Sequence, residues 1–336
     1  MKTNAAPYLS IVVTSRNDNH GQDLLPRTTL FVNGLITQCT RFNLPAELLV
    51  VEWNPPPQTP PLHAVLPAPP PDCPLRVRYI TVPPQLHRQY ANAGNIPLYQ
   101  MIAKNVGIKR AKGQFVLCTN IDLLFSDELF EILARQDLQP DCCYRADRCD
   151  VPDDVLRLNR PLPELLNWCS HHIIKRWSRN RLLLAFLNGM IKVDKTRLLN
   201  GLVRKKLPFL YFLHLVADAC GDFTLLAKPA WEAIQGYPEL DLYSVHIDTM
   251  GIAAAEALGY RQVLLPAKAC TYHIYHLDGW TSLSATQKIK FLEKRPGLGI
   301  DVVVFAALEA IRNRQPYNLN PANWGFAGIH LEEVEM

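Results

Sequence analysis

The sequence predicts an α/β fold built on a mostly parallel sheet, and three observations predict it. Short apolar or β-branched runs recur at residues 9–14 (LSIVVT), 47–51 (ELLVV), 77–82 and 114–119 (QFVLCT), without the alternation of a half-exposed strand. Helical spacing separates the first two and recurs before the fourth, as crossover helices between parallel strands require. Three of the runs end in polar clusters, Ser15-Arg16-Asn17-Asp18, Glu52-Trp53-Asn54 and Asn120-Ile121-Asp122. Such positions, outside the carboxyl ends of strands, are where open α/β sheets bind ligands.

The first crossover helix is read over 28–40, where Leu30, Phe31, Leu35 and Ile36 share one face. Between the second and third strands, residues 55–74 hold ten of the chain's 27 prolines. That density reads as an extended surface loop, inserted between strands or offered as a polyproline ligand. The next helix is capped by Asn95 with Pro97 in its first turn. It carries Leu98, Met101, Ile102, Val106 and Ile108 inward, with Asn105 on or beside that face, and stops at Gly113. A capped helix opens at Ser126-Asp127-Glu128 after the fourth strand.

Residues 151–215 change character. They are rich in Arg and Leu, as in Ile173-Ile174-Lys175-Arg176-Trp177, and are read as helices forming an amphipathic insertion or lid. The alternative is a peripheral membrane contact through 173–206, with basic residues toward phosphates. Regular structure resumes after Cys220. Strand-like TLLA leads to a helix around Trp231, a Gly236-Tyr237-Pro238-Glu239 turn, a helix opened by Asp248 and stopped by Gly259, a strand at 262–265, and the run Thr271-Tyr272-His273-Ile274-Tyr275-His276.

The chain has 336 residues and a formal charge of +4, enough for one large domain or two modest ones and too little charge to argue for nucleic acid. The N-terminal stretch reads as a lead into the first strand rather than a signal peptide, and no apolar run reaches the length of a membrane span. Nine scattered cysteines without a Cys-x-x-Cys pair fit a reducing cytoplasm.

Four groups of residues could carry chemistry. Asp122 with Asn120 either holds a divalent cation against a diphosphate or is a turn carboxylate capping the next helix. Asp248, beside His246, either takes a proton from a hydroxyl or is an ordinary first-turn aspartate favoured by the helix dipole. His273 and His276 are metal ligands or structural residues; on a strand they face opposite ways, and only a turn lets both reach one site. Trp53, Trp231, Tyr237 and Trp280 either stack on a base or sugar or belong to the core.

Taken in order, these pieces resemble the family 2-like glycosyltransferases of the GT-A class. LSIVVTSRND resembles the opening nucleotide-binding strand, and ELLVVEWN the second, with Glu52 where an acidic residue meets the nucleoside. AKNVGIKRAKGQFVLCTNIDLLFSDEL, from Ala103 to Leu129, resembles the stretch leading to an Asp-x-Asp metal motif. GDFTLLAKPAWEAIQGYPEL resembles the acceptor-side block, and His246-Ile247-Asp248 falls where the catalytic carboxylate stands. The metal motif departs from the pattern, reading Asn-x-Asp, and the basic insertion has no counterpart. No Gly-x-Gly-x-x-Gly follows the first strand, which counts against a dinucleotide-binding enzyme.

The resemblance implies a Rossmann-like GT-A fold, a mostly parallel sheet flanked by helices, with a helical basic insertion. Residues 1–150 are the nucleotide-sugar-binding half, 151–215 the insertion or lid, 216–285 the acceptor and catalytic half, and 286–336 a C-terminal helical extension. It implies transfer of a sugar from a nucleotide diphosphate sugar to a glycan, lipid-linked or small-molecule acceptor, with inversion and Asp248 as base. Asp122 and one of His273 or His276 hold Mn²⁺ or Mg²⁺. Ser15, Arg16, Asn17, Asp18, Glu52, Lys104, Asn105 and Asn120 lie on the donor side, and Asp222, Trp231 and His246 on the acceptor side. The alternative is a degenerate GT-A domain that binds a nucleotide sugar or a partner without transfer. The setting read from the cysteines and the N-terminus is cytoplasmic, with peripheral membrane contact as the alternative.

Overall fold

A computed structural model of the chain describes residues 6–177, 215–276, 284–316 and 320–336. Its centre is four parallel strands, β1 (Leu9–Ser15), β2 (Ala46–Trp53), β3 (Leu75–Val82) and β4 (Phe115–Cys118). Every residue of β1, β2 and β4 is buried, as a sheet covered on both faces demands. Val12 of β1 pairs with Leu49 on one side and Cys118 on the other. The sheet extends through β6 (Cys142–Arg145), β9 (Thr224–Ala227), β10 (Arg261–Leu264) and β12 (Glu332–Glu335), in the order β10-β6-β9-β4-β1-β2-β3-β12. Only β9 and β12 run against the rest. The α/β fold expected from the sequence, a large mostly parallel sheet flanked by helices, is therefore present.

A second sheet of four short strands, β5 (Leu123–Phe125), β7 (Asp147–Val151), β8 (Lys175–Trp177) and β11 (Cys270–Ile274), has the order β5-β11-β7-β8. It has its own small core of Leu124, Cys149, Val151, Cys270 and Ile274 under helix 162–171. The main core runs from Tyr8 to Leu331 as one cluster, so the two expected halves share one interior. All nine cysteines are free thiols, and no helix among the described residues is long and apolar enough to cross a membrane.

Several elements differ from the sequence reading. The first helix, α1 (Leu24–Phe42), begins four residues earlier than 28, because Pro26 is tolerated in a first turn. The Pro-rich loop is not wholly extended: α2 (Leu62–Val65) is a helical turn after Pro61, with Leu62 and Leu66 buried. After α3 (Pro84–His87), α4 (Gln100–Arg110) starts at Tyr99 rather than Asn95; residues 92–96 form a turn instead, with Ile96 N–H donating to Asn92 O at 2.9 Å. Pro97 disfavours helix at the residue before it, which keeps that turn outside α4. In the expected helical insertion, α6 (Leu162–His171) is a helix, but 175–177 is β8, paired antiparallel with β7. Residues 178–214, most of the basic segment, and Trp280 lie outside the described residues. The C-terminal extension is not purely helical: its last residues return as β12 to the β3 edge, where Arg78 bridges Glu47 and Glu333.

Two packing constraints hold the helices on the sheet. A side chain at Gly107 would overlap Val12, so α4 lies directly on β1. Asn105, two residues earlier, is fully buried and donates to Tyr237 O at 2.7 Å while accepting from Tyr237 N–H at 2.8 Å. This clamps the turn after α7 (Lys228–Ala233), where Gly236 has φ +70° and its Cβ position is filled by the Asn105 amide. Asn105→Ala is expected to lower stability by about 1–3 kcal/mol, since it orphans the buried Tyr237 N–H, while Tyr237 O keeps its bond from Asn320. Gly236→Ala adds the left-handed penalty of about 1–2 kcal/mol to a steric overlap. Denaturant unfolding of both variants checks this; wild-type midpoints would show that the clamp is dispensable.

Candidate active site

The chain leaves β4 at Cys118 and passes Thr119, Asn120 and Ile121 before Asp122, immediately ahead of β5. Ile274 N–H donates to Asp122 O at 2.9 Å, tying the end of β11 to this turn. His273, on β11, pairs in register with Leu123 and Asp150. The strand stops at Ile274, so His276 swings back instead of alternating away, and the two imidazole centroids lie 5.3 Å apart. Both histidines reach the same carboxylate: Asp122 Oδ2 is 2.8 Å from His276 Nε2 and 3.7 Å from His273 Nε2. The sequence left open which histidine would do so.

Asp122, His273 and His276 offer one ligand atom each within 4.8 Å of one another. Asp122 Oδ1 and His276 Nδ1 are buried without hydrogen-bond partners, which is a cost unless something fills the coordination. Burial pushes the Asp122 pKa up, but the two imidazoles and the Arg27 guanidinium outweigh it and hold the group well below the usual carboxylate range. The residues present thus fit a divalent cation. One carboxylate with two imidazoles suits Mn²⁺ better than Mg²⁺, which favours all-oxygen ligands.

From this cluster a continuous polar network runs to the C-terminal side of the sheet. Arg148 of β7 donates to Asp150 at 2.6 Å and to Asp222 at 2.7 Å, and its guanidinium lies 2.9 Å from His273 Nδ1. Burial lowers its pKa, yet Asp222 and Asp150 raise it more. Asn120 donates to Asp222 at 2.5 Å and accepts from Lys104 at 3.0 Å and Gln100 at 2.9 Å. Lys104, fully buried, also donates to Gly221 O at 2.8 Å, and Gly221 N–H donates to Asp248 Oδ2 at 2.7 Å. Burial is the largest influence on Lys104 and lowers its pKa. Asp122, Asp150, Asp222 and Asp248 outnumber Arg27, Arg148 and Lys104 by one charge. A network with that excess attracts a cation.

A cleft of about 490 Å³ opens on this network, lined by Asn120, Arg148, Trp177, Asp222, His246 and Asp248 among others. A larger cavity of about 790 Å³, lined by Glu256, Leu258, Arg312 and Arg314, lies apart from it where α8 (Ile247–Ala257) meets α10 (Ile300–Asn313), the helix after α9 (Ala285–Lys294). The smaller cleft, with convergent polar groups, is the candidate site.

The predicted residues divide by where the fold places them. Asn120, Asp222, His246 and Asp248 line the cleft, and Asp122, His273 and His276 form the adjoining cluster. On the expected donor side, Arg16 pairs with Asp18 at 3.3 Å and Asn17 donates to Pro60 O at 2.9 Å. Both Glu52 oxygens accept the Leu62 N–H, and Ser15 Oγ is buried without a partner. The Pro-rich loop therefore lies over the ends of β1 and β2 and already engages Asn17 and Glu52. Lys104 and Asn105 are buried struts rather than cleft residues. Trp231 is a correction: its side chain is fully buried and its indole donates to Val116 O at 2.9 Å, leaving no face for an acceptor. Trp53 and Tyr237 are likewise core.

Sequence reasoning missed Arg27, Arg148, Asp150 and Trp177. Arg27 donates to Asp122 at 3.3 Å from one turn into α1, hidden by the later start assigned to that helix. Arg148 and Asp150 stand two apart on one strand face, a pattern that marks them as neighbours once 147–151 is read as a strand. Trp177 donates to Asp150 at 2.8 Å and shares the cleft.

No family model matches the chain, and no curated protein does. Among solved structures, it is similar to a crystal structure of GalNAc-T7 with UDP, GalNAc and Mn²⁺, at 12% identity and a TM-score of 0.44 over 86% of this chain and 48% of that one. The chain thus spans about half the length of that protein. It is also similar to Staphylococcus aureus TarS 1–349 in complex with UDP-GlcNAc (S. aureus), at 16% identity and a TM-score of 0.45 over 91% of this chain and 72% of that one. A second structure of TarS 1–349 gives 16% identity and a TM-score of 0.44 over 91% and 71% of the two chains.

Proposed function

We propose that the chain is a GT-A-like glycosyltransferase that moves a sugar from a nucleoside diphosphate sugar to an acceptor hydroxyl with inversion. The observation that carries this reading is the Asp122–His273–His276 cluster, with its two orphaned buried ligand atoms, joined to the cleft by the Arg148–Asp222–Asn120 network. One end is built for a cation and a diphosphate, the other for a hydroxyl.

Asp122, His273 and His276 would hold Mn²⁺ or Mg²⁺, and a divalent ion there would supply positive charge toward a departing diphosphate. Asp150 Oδ1 stands 3.1 Å from His273 Nδ1 and accepts its proton when Nε2 is the ligand atom. Arg27 holds Asp122 from behind. Arg148 fixes Asp222 at the border of the two subsites. Asp248 closes the acceptor end, where the resemblance assigns the base. On the donor side, Ser15, Arg16, Asn17, Asp18 and Glu52 surround the nucleoside, and the Pro-rich loop shifts to admit it. The cleft's carboxylates and Trp177 fit a sugar acceptor, carboxylates bonding hydroxyls and the aromatic ring stacking on a sugar face.

Two results are expected. Mn²⁺ at a hundredfold excess over its Kd should stabilise the wild type by about 2.7 kcal/mol, on the order of 4 °C in melting temperature, and Asp122→Asn should abolish that shift. An Asp122→Asn protein still stabilised by Mn²⁺ would remove the cluster from the reading. A thermal-shift panel of UDP-, GDP-, CDP- and dTDP-sugars with and without Mn²⁺ should find a donor. Asp248→Asn should keep that donor's shift while losing transfer by at least about a hundredfold. No stabilisation by any donor would sink the reading, and wild-type transfer by Asp248→Asn would clear Asp248 of a role.

A further inference from the structure

His246 is the residue that hands the chain into α8, and its backbone is left-handed, φ 66° and ψ −4°. For a residue with a Cβ, that conformation costs about 1–2 kcal/mol, and such strain concentrates where a side chain must be aimed. The side chain is half-buried and lines the cleft. Among the described residues its imidazole makes neither a hydrogen bond nor an ion pair, unlike His20, His87, His273 and His276. Asp248, two residues on, is differently placed. Its Oδ2 accepts Gly221 N–H at 2.7 Å and its Oδ1 accepts Thr249 N–H at 3.0 Å. Both Asp248 oxygens are thus engaged by backbone donors, whereas the His246 imidazole faces the cleft.

We infer that His246, rather than Asp248, takes the proton from the acceptor hydroxyl, while Asp248 fixes the Gly221 turn and faces the imidazolium that forms. This rests on the transferase reading above. As the acceptor oxygen bonds to the anomeric carbon, its proton passes to an imidazole nitrogen. The bond from that carbon to the diphosphate oxygen breaks, and its electron pair leaves with the nucleoside diphosphate. The imidazolium then returns its proton to water at the cleft mouth. Burial lowers the His246 pKa, and Asp248 raises it by a smaller amount, so the ring is neutral and competent at pH 7. The other charged groups on the cleft are Asp218 and Asp222 before β9 and Arg148 on β7, the last tied to Asp222 and Asp150.

The test uses the full chain and the panel donor giving the largest thermal shift. Nucleoside diphosphate release is followed with water and with methyl glycosides as acceptors. His246→Asn keeps a side chain suited to left-handed backbone and removes the base. It should lose about 10²- to 10⁴-fold in kcat with the donor thermal shift unchanged. The wild-type rate should fall at acidic pH, below the ordinary histidine value, as the imidazole protonates, and His246→Asn should lack that limb. His246→Gly should recover activity when imidazole is added. A His246→Asn rate within threefold of wild type, or an acidic limb that survives the substitution, overturns the inference. Either result with intact donor binding and wild-type transfer leaves the transferase reading standing. That reading fails separately, if the wild type binds no donor.

Discussion

A half-buried guanidinium, held between two carboxylates and an imidazole, organises this molecule. Arg148 stands on the second sheet, yet Asp222, one of its partners, belongs to the loop entering β9 of the first. Removing Asp222 would leave Arg148 only its contacts within the second sheet and break the ion pair that joins the two sheets. The two sheets are therefore held at the spacing that brings Asp122 and its histidines alongside the cleft. The remaining polar contacts extend from this one: Asp150 to Trp177 on the outer strand, and Asn120 to Lys104 and Gly221 on the inner side.

This arrangement explains why few of the conspicuous polar residues face solvent directly. Lys104 and Asn105 are fully buried on α4. Each is bonded to a different segment of the C-terminal half, Lys104 to Gly221 and Asn105 to Tyr237. Polar side chains are thus used as directional fasteners where apolar packing would fix distance but not register. The cost of burying them is offset by pairing, and two of the buried atoms left without a partner, Asp122 Oδ1 and His276 Nδ1, lie together in the cation-ready cluster.

The fold was legible because it is written in local patterns. Continuous buried runs in β1, β2 and β4 could not be anything but covered strands, and Ser126 capped the helix 127–134 as its spacing indicated. Boundaries shifted where proline chemistry admitted two answers, at Pro26, Pro61 and Pro97. The site was legible only as a set of ends of strands. Asp122, His273 and His276 could be named, but their convergence depends on β11 lying between β5 and β7, a pairing that sets Leu124 against Tyr272, 148 residues on in the chain. Trp231 shows the opposite failure. An aromatic in a motif-like stretch proved to be core, because its indole found a strand carbonyl rather than a ligand.

Asn120 is where sequence and structure give the most different meanings to one residue. Against an Asp-x-Asp pattern it is a missing charge. In the structure its amide donates to Asp222 at 2.5 Å while its carbonyl accepts from Lys104 and Gln100. A carboxylate in that position would face Asp222 with no proton between them, and two such groups at that separation cannot both be ionised. Asp222 in turn is required by Arg148. Once Arg148 and Asp222 link the sheets, position 120 needs a group that donates on one side and accepts on the other, which an amide does and a carboxylate does not. The charge that leaves position 120 is not lost from the site, because Asp150 and Asp222 place carboxylates on either side of Arg148. The departure from the familiar motif is thus a consequence of how this site is braced.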